Sequence, residues 1–165
     1  MIFVTVGTHE QQFDRLLIEL DRLIEDGSIN ESVFIQSGYS NYKLRNSEHE
    51  SMLPFDKMQD MVAEARIVIT HGGPGSIFLP LSNGKIPVVV PRNPNYNEHV
   101  DMHQIEFVKK LSDANKILAV FNIEDLASTI LNYDEKTSEI VISETADKES
   151  FNKSLSSYLN SIIDL

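Results

Sequence analysis

Residues 66–76 read Arg66-Ile67-Val68-Ile69-Thr70-His71-Gly72-Gly73-Pro74-Gly75-Ser76. The β-branched apolar run up to Thr70 is typical of a strand that is buried on both faces. The glycine-rich turn after it leads into residues 77–83, whose pattern predicts a helix. Strand, turn and helix in this order make a β-α unit, and such units build parallel sheets that are covered by helices.

The same alternation of short apolar runs and amphipathic stretches extends along the chain in both directions. Strands are predicted at 2–6, 33–36, 66–70, 86–91 and 117–120, with a further one at 51–55. Helices are predicted from Phe13 to near Gly27, from a cap at Asp56 to Ala65, from 97 to Leu111 through Val100, and from a cap at Asn122 to Leu131. We therefore predict one doubly wound, Rossmann-like α/β domain with its ligand at the carboxyl ends of the strands.

The predicted organisation has three parts. The α/β domain covers residues 1–135, a linker-like segment covers 136–148, and a terminal amphipathic helix covers 149–165. The apolar face of that helix is formed by Phe151, Leu155, Tyr158, Leu159, Ile162 and Ile163. Two interpretations of this face stay open: it closes the core of the domain, or it docks on a partner.

Composition excludes several classes of function. The formal net charge of −11 argues against non-specific binding to nucleic acid or to bare anionic lipid. The chain has no cysteine, so disulfides, thiolate metal sites and cysteine nucleophiles are excluded. The sequence holds nothing that approaches the roughly 18 apolar residues of a membrane span. A cytoplasmic location is the expectation.

The turn after the predicted strand at 66–70 is a candidate phosphate site. Glycines allow a ligand to approach the backbone, and a helix start offers free N–H groups and a positive dipole end. The residues concerned are His71, Gly72, Gly73, Gly75 and Ser76. A tight turn without a ligand is the alternative.

This turn differs from the commonest phosphate loops. It has no Walker lysine, and Gly7-Thr8-His9-Glu10 stands where a dinucleotide fingerprint would be. The sequence also has no Asp-x-Asp pair to hold a divalent ion against a diphosphate. We therefore expect phosphate binding without metal and without a cofactor.

Two further polar clusters follow predicted strands. Gly7, Thr8 and His9 follow the first strand, where His9 could be a donor or an acid-base group and Thr8 a helix cap. The segment from Glu98 to Gln104 includes His99 and His103, and its carboxylate, imidazole and amide groups could bind hydroxyls. A polar helix start is the simpler interpretation. A zinc site at His99 and His103 lacks an evident third ligand.

Together these segments resemble a known family. The motifs are Val4-Thr5-Val6-Gly7-Thr8, Thr70 to Ser76, Gly84 to Arg92, and Glu98-His99 followed by His103-Gln104. Over roughly residues 1–130 the chain resembles the C-terminal half of GT-B glycosyltransferases of family 28. It is most similar to enzymes in which that half is a separate catalytic subunit. These include two-component bacterial capsular and exopolysaccharide transferases of the β-1,4-galactosyltransferase type, and the dolichol-linked N-acetylglucosamine transferase.

The resemblance implies a function for each cluster. It implies inverting transfer of a hexose, galactose first, from a UDP-sugar to a lipid-linked saccharide in capsule or exopolysaccharide synthesis. Gly7, Thr8 and the glycine turn would bind the diphosphate, and His99, His103 and Gln104 the donor sugar. The base would be His9, Glu98 or a group of the partner. A membrane-anchored, acceptor-binding subunit is the implied partner, and it would recruit the chain to the inner face of the membrane.

The chain departs from the family pattern at one position, and several alternative sugars and functions stay open. Pro80 stands where many relatives carry a glutamate for the ribose hydroxyls, and Glu98 is a possible substitute. N-acetylglucosamine or glucuronic acid could replace galactose. A non-catalytic UDP-binding regulatory subunit is a different class of function. A sugar-nucleotide epimerase is disfavoured because the loop after the first strand lacks what a dinucleotide needs.

Overall fold

A computed structural model describes residues 1–140 and, beyond them, only the helical positions Lys153, Ser156, Ser157 and Asn160. The strands are β1 Ile2–Thr5, β2 Val33–Gln36, β3 Glu48–Glu50, β4 Ile67–Thr70, β5 Val88–Val89 and β6 Leu118–Ala119. The helices are α1 Asp14–Glu25, α2 Phe55–Glu64, α3 Pro74–Ser82, α4 His103–Asp113, α5 Leu126–Leu131 and α6 Tyr133–Ser138. Short 3-10 turns cover Pro94–Tyr96 and Ile123–Asp125.

The six strands form one parallel sheet in the order β3-β2-β1-β4-β5-β6. This confirms the predicted doubly wound α/β class. Chain connections run outward in both directions from β1 and β4, so the switch point of the sheet lies between these two strands. Thr5 and Thr70 are paired at the carboxyl end of this junction.

Alternate residues of the central strands pack on opposite faces of the sheet. Ile2 and Val4 belong to a core cluster with α1, α5 and α6, whereas Phe3 packs with α2. In β5, Val88 faces the first cluster and Val89 packs against α3 and α4. Burial of both faces explains why the strands read as continuous apolar runs.

The region between β2 and α2 differs from the prediction. The third strand is Glu48–Glu50 rather than 51–55, and all three of its residues are exposed. As an edge strand it carries charge instead of an apolar pattern, which is how sheets protect their edges. Leu53 packs against the core instead, and Pro54, not Asp56, stands at the N-cap of α2.

The helix predicted from residue 97 begins six residues later, at His103. Asn97 adopts a left-handed backbone with φ of 57°, which interrupts the helix after the 3-10 turn. Val100 is 75% exposed rather than on an apolar helix face. The predicted helical spacing of Glu98 and Asp101 is therefore wrong.

The predicted linker at 136–148 begins inside α6, which runs to Ser138. Tyr133 of that helix is buried, and its hydroxyl donates to the carbonyl oxygen of Ile86 at 2.6 Å. Residues 141–148 and most of the predicted terminal helix lie outside the described residues. Of the helices in the described part, none has the length and apolar character needed to cross a membrane.

Candidate functional site

The loops after β1 and β4 touch at the switch point of the sheet. Gly7 has φ of +78°, a conformation that side chains rarely adopt. A Cβ atom at this position would lie 2.4 Å from His71 Nε2. Two of the residues predicted at the diphosphate are thus packed against each other where ligands of doubly wound sheets bind.

A buried amide of β2 fixes the loop after β1. Gln36 Oε1 accepts hydrogen bonds from the Thr5 hydroxyl at 2.6 Å and from the Gly7 N–H at 3.2 Å. Its Nε2 donates to the carbonyl oxygens of Gly7 at 3.1 Å and Ser51 at 2.8 Å. Gln36 is fully buried. It therefore acts as a positioning residue for the candidate site.

His71 organises the glycine turn. Its Nδ1 accepts a hydrogen bond from the Gly73 N–H at 3.0 Å, and its Nε2 lies 2.9 Å from Ser76 Oγ. Burial, and the nearby Arg92 charge, lower the pKa of His71 to about 3, so the ring is neutral at pH 7. Since Nδ1 accepts, Nε2 carries the hydrogen and donates to Ser76. The hydroxyl hydrogen of Ser76 is then free to point at a ligand.

The glycines of the turn have different environments. A Cβ on Gly73 would lie 2.2 Å from His71 Cε1, so this glycine is required by packing. A Cβ on Gly75 would meet nothing within 4 Å. Gly75 lies in the first turn of α3, and among the described residues no side chain caps that helix by a hydrogen bond. The start of α3 is therefore open for a ligand.

A buried cation lies beneath the loop after β1. Arg92 is 0% exposed, and its guanidinium donates to the carbonyl oxygens of Val6 at 2.7 Å and Gln11 at 2.8 Å. It also donates to the Glu98 carbonyl oxygen at 3.0 Å and stacks over the Phe13 ring. Burial lowers the pKa of Arg92 to about 10, which still leaves it charged at pH 7. Its positive charge favours an anion at this edge.

Gln104, predicted to contact the donor sugar, makes several contacts within the protein. Its Oε1 accepts from the backbone N–H groups of Gly72 at 3.0 Å and Arg92 at 3.2 Å. Its Nε2 lies 3.4 Å from His71 Nδ1. These contacts join α4 to the loops after β4 and β5. A sugar contact of Gln104 stays a prediction.

Glu98 is engaged in a buried ion pair. Its carboxylate oxygens accept from Arg15 Nε at 2.9 Å and Arg15 Nη2 at 3.0 Å, and one also accepts from the Asn93 N–H at 2.9 Å. The Glu98 side chain is 0% exposed. Such contacts position a loop, and they occupy the oxygens that a general base or a ribose contact would use.

Three histidines and one carboxylate surround the start of α4. Asp101 carboxylate oxygens lie 3.2 Å from His99 Nδ1 and 3.1 Å from His103 Nδ1. The rings of His9 and His99 are 4.7 Å apart. His9 Nδ1 accepts from the Gln11 N–H at 3.1 Å. Burial, with smaller effects from the neighbouring His99 and Arg92, lowers the pKa of His9, which favours the neutral ring. Because Nδ1 accepts, the hydrogen of this ring lies on Nε2.

The model of the glycosyltransferase family 28 C-terminal domain matches residues 1–159. The chain belongs to this family. The match extends past residue 130, where the resemblance of the motifs was expected to end. No curated protein sequence matches the chain.

Two solved structures are similar to this chain. The glycosyltransferase of kitacinnamycin is similar with a TM-score of 0.55 at 17% identity, over 98% of this chain and 39% of that chain. SnogD, a glycosyltransferase from Streptomyces nogalater, gives a TM-score of 0.43 at 14% identity, over 98% and 44% of the two chains. The family 28 chain thus spans about two fifths of the length of these proteins. Its sheet matches a GT-B C-terminal domain.

Most of the predicted site residues of this family 28 domain meet at one edge. Thr8 differs from the others, because it is exposed in the loop after β1 and, among the described contacts, makes no hydrogen bond that caps a helix.

Among the described residues, four buried side-chain polar atoms have no hydrogen-bond partner. Three of them, Gln11 Oε1, Thr70 Oγ1 and Arg92 Nε, belong to residues at this edge. Such a concentration is typical of a functional site.

Sequence reasoning missed the positioning roles of Gln36 and Arg92. A polar residue at the end of an apolar strand, as in both cases, was the available signal.

Within the described ranges, no group of three or more histidine and carboxylate side chains is arranged to hold a metal ion. The Pro80 position is buried inside α3.

Proposed function

We propose that this chain is the donor-binding, catalytic half of an inverting glycosyltransferase that transfers a hexose from a UDP-sugar to a lipid-linked saccharide. The observation that carries the proposal is the open start of α3 at the switch point, beside the Ser76 hydroxyl and above the buried Arg92 charge. Capsule or exopolysaccharide synthesis is the proposed setting, on the resemblance of the motifs. The family assignment supports the reaction class.

The diphosphate would bind between the loops after β1 and β4. Backbone N–H groups at Gly75 and Ser76, and the Ser76 hydroxyl, would meet phosphate oxygens. Negative charge grows on the diphosphate as the sugar leaves, and fixed donors stabilise it by roughly 3 kcal/mol for one well-placed group. The His9 Nε2–H is a further donor at the same edge.

The donor sugar would lie toward the start of α4. His99 and His103 are held there by Asp101, and Gln104 joins the same helix to the glycine turn. Galactose is the proposed sugar by resemblance, and N-acetylglucosamine and glucuronic acid are the competitors. A ribose contact by Glu98 would require its ion pair with Arg15 to open.

The acceptor would be bound by a second, membrane-anchored polypeptide, which would also hold the chain at the inner face of the membrane. The resemblance to two-component enzymes supports this arrangement. A lipid-linked acceptor is presented at a membrane surface, while this chain carries a net charge of −11. Anionic headgroups would repel it, so a partner is the simplest means of recruitment.

The test combines binding and turnover. UDP affinity is measured on the purified chain, and transfer from radiolabelled UDP-galactose, UDP-N-acetylglucosamine and UDP-glucuronic acid is measured with membranes that contain the co-expressed partner. We expect micromolar to millimolar UDP binding by the chain alone and labelled lipid only with both components.

Three outcomes contradict parts of the proposal. UDP binding without transfer from any donor would favour the regulatory subunit. Transfer to the lipid-linked acceptor by the purified chain alone would refute the partner requirement. Lack of UDP binding by a folded chain would remove the proposed donor site itself.

A further inference from the structure

A groove lies beside the proposed donor site, between α1 and the two 3-10 turns. Its volume is about 630 Å³. The residues that line it include Asp14, Arg15, Ile18, Tyr96, Glu98 and Ile123. Pockets for small ligands typically enclose about 300–1,000 Å³. The groove is therefore large enough to hold a ligand of its own.

The aromatic wall of this groove is exposed but held in place. Tyr96 is 54% exposed, and its carbonyl oxygen accepts a hydrogen bond from Gln12 Nε2 at 3.0 Å. The Arg15 guanidinium lies 5.0 Å from the centre of the Tyr96 ring, which is a cation–π distance. Arg15 is itself fixed by the buried Glu98 carboxylate and by the Pro91 carbonyl oxygen at 3.2 Å. The ring is thus pre-organised for contact with a ligand.

The rest of the lining combines apolar and polar groups. Ile18 is 48% exposed and Ile123 is half-buried. Asp14 Oδ1 accepts from the N–H groups of Asn41 at 2.8 Å and Tyr42 at 3.1 Å, and among the described contacts Asp14 Oδ2 has no partner. A carboxylate oxygen of this kind can accept a hydrogen bond from a hydroxyl. An aromatic face beside a carboxylate oxygen matches a sugar ring, which has C–H groups on its faces and hydroxyls at its edge.

The position of the groove relates it to the transfer reaction. Its walls follow β1, β5 and β6, so it opens at the same edge of the sheet as the donor site. Glu98 lines the groove, and the next residue, His99, belongs to the cluster proposed to hold the donor sugar. A transferase must hold its acceptor sugar next to its donor sugar. The groove is placed where a second saccharide is needed.

We propose that this groove is a saccharide subsite that binds a sugar ring of the lipid-linked acceptor, with Tyr96 as the stacking platform and Asp14 Oδ2 as a hydrogen-bond acceptor. The assignment of the saccharide to the acceptor rests on the proposed function. The partner polypeptide holds the lipid-linked end of the acceptor, and this chain orients its sugar. Selectivity for the acceptor therefore lies partly in this chain.

The first test is NMR of the full chain with labelled isoleucine methyl groups. Ile18 and Ile123 report on the groove, whereas Ile77, which follows Ser76 in α3, reports on the proposed donor site. The probes are lactose, cellobiose and chitobiose at millimolar concentrations, and UDP-galactose. We expect at least one disaccharide to shift the signals of Ile18 and Ile123 but not that of Ile77. UDP-galactose should shift Ile77 most.

Substitutions in the groove give the second test. Tyr96→Ala should raise the Kd for the bound disaccharide by about 3- to 10-fold, because the stacking surface is lost. Tyr96→Phe keeps the ring and should bind like the wild type. Ile18→Ser, on the opposite wall, should also weaken binding. Leu131→Ala removes an equally exposed apolar side chain outside the groove and is the matched control.

The complex with the partner then tests the assignment to the acceptor. Tyr96→Ala should raise the KM for the lipid-linked acceptor by a similar factor while the Kd for UDP stays unchanged. Tyr96→Phe should restore the wild-type KM. A KM for the acceptor that Tyr96→Ala leaves unchanged would overturn the assignment to the acceptor.

The remaining outcomes separate the subsite from other occupants and from the proposed function. If no disaccharide shifts Ile18 and Ile123, the saccharide subsite is refuted. Equal shifts of these two signals by UDP-galactose would assign the groove to the donor. If Tyr96→Ala separates the chain from its partner and no disaccharide binds, the groove docks a polypeptide instead. Disaccharide binding that depends on Tyr96, in a complex that transfers sugar from no donor, would support the subsite and refute the proposed function.

Discussion

Replacement of Gly75 separates ligand binding from folding. A Cβ at this position meets nothing within 4 Å, and the residue lies in the first turn of α3 without a left-handed backbone. Gly75→Val should leave the fold intact and even stabilise it by ~0.5 kcal/mol, because valine is a better helix former than glycine. That corresponds to a rise in Tm of about 1–2 °C.

The same substitution should weaken UDP binding. The valine methyl groups would occupy the open space through which a phosphate reaches the N–H groups of Gly75 and Ser76. One lost hydrogen bond to a charged oxygen corresponds to about 1.5–3 kcal/mol, or roughly a 10- to 150-fold rise in Kd. Stability and affinity would thus change in opposite directions, which a misfolded mutant cannot imitate.

Calorimetric titration with UDP and thermal unfolding are the two measurements. Gly75→Ala adds a smaller group and should give an intermediate loss of affinity. Ala63→Val introduces the same branched side chain at an exposed position of α2 and should leave the Kd unchanged. A folded Gly75→Val protein with a Kd within threefold of the wild type would refute a phosphate at the start of α3.

Two further predictions concern charge. UDP should bind with unchanged affinity in the presence of a chelator, because N–H groups and the Arg92 charge stabilise the phosphates without a metal ion. A loss of affinity that manganese restores would contradict this. His71 stays neutral in the folded state down to about pH 3, whereas an unfolded histidine takes up a proton near pH 6.5. Wild-type stability should therefore fall relative to His71→Gln by about 2.5 kcal/mol between pH 7 and pH 4.5. A constant difference across that pH range would show that His71 is not buried in its neutral form.

The sequence predicted the sheet well because its strands are buried on both faces. The strands Ile2–Thr5 and Ile67–Thr70 are buried at every residue, and a central position in a sheet covered on both faces is what removes so much apolar surface from water. It misplaced β3, because an exposed edge strand has no apolar pattern to detect. The helix start near residue 97 was also wrong, since the backbone conformation of Asn97 depends on contacts of the folded chain.

The positions of the site residues could be predicted, but their contacts could not. That Gly7 and His71 follow strands was visible, and the parallel sheet brings them to one edge. Glu98 carries a carboxylate suited to catalysis, yet its charge is paired with Arg15, which is 83 positions away in the sequence. Such a partner is invisible to any local pattern.

The hydrogen bonds of Arg92 also determine when the site can form during synthesis. They join this residue to Val6 and Gln11, which precede it by 86 and 81 positions. At ribosomal rates of about 5–20 residues per second, the loop after β1 waits on the order of 5–15 s for its guanidinium partner to be made. Contacts between residues so far apart in the sequence form slowly, because the entropy cost of closing the loop comes before the stabilisation that the contacts provide. Newly made chains therefore cannot complete this edge before β5 has been synthesised and has joined the sheet.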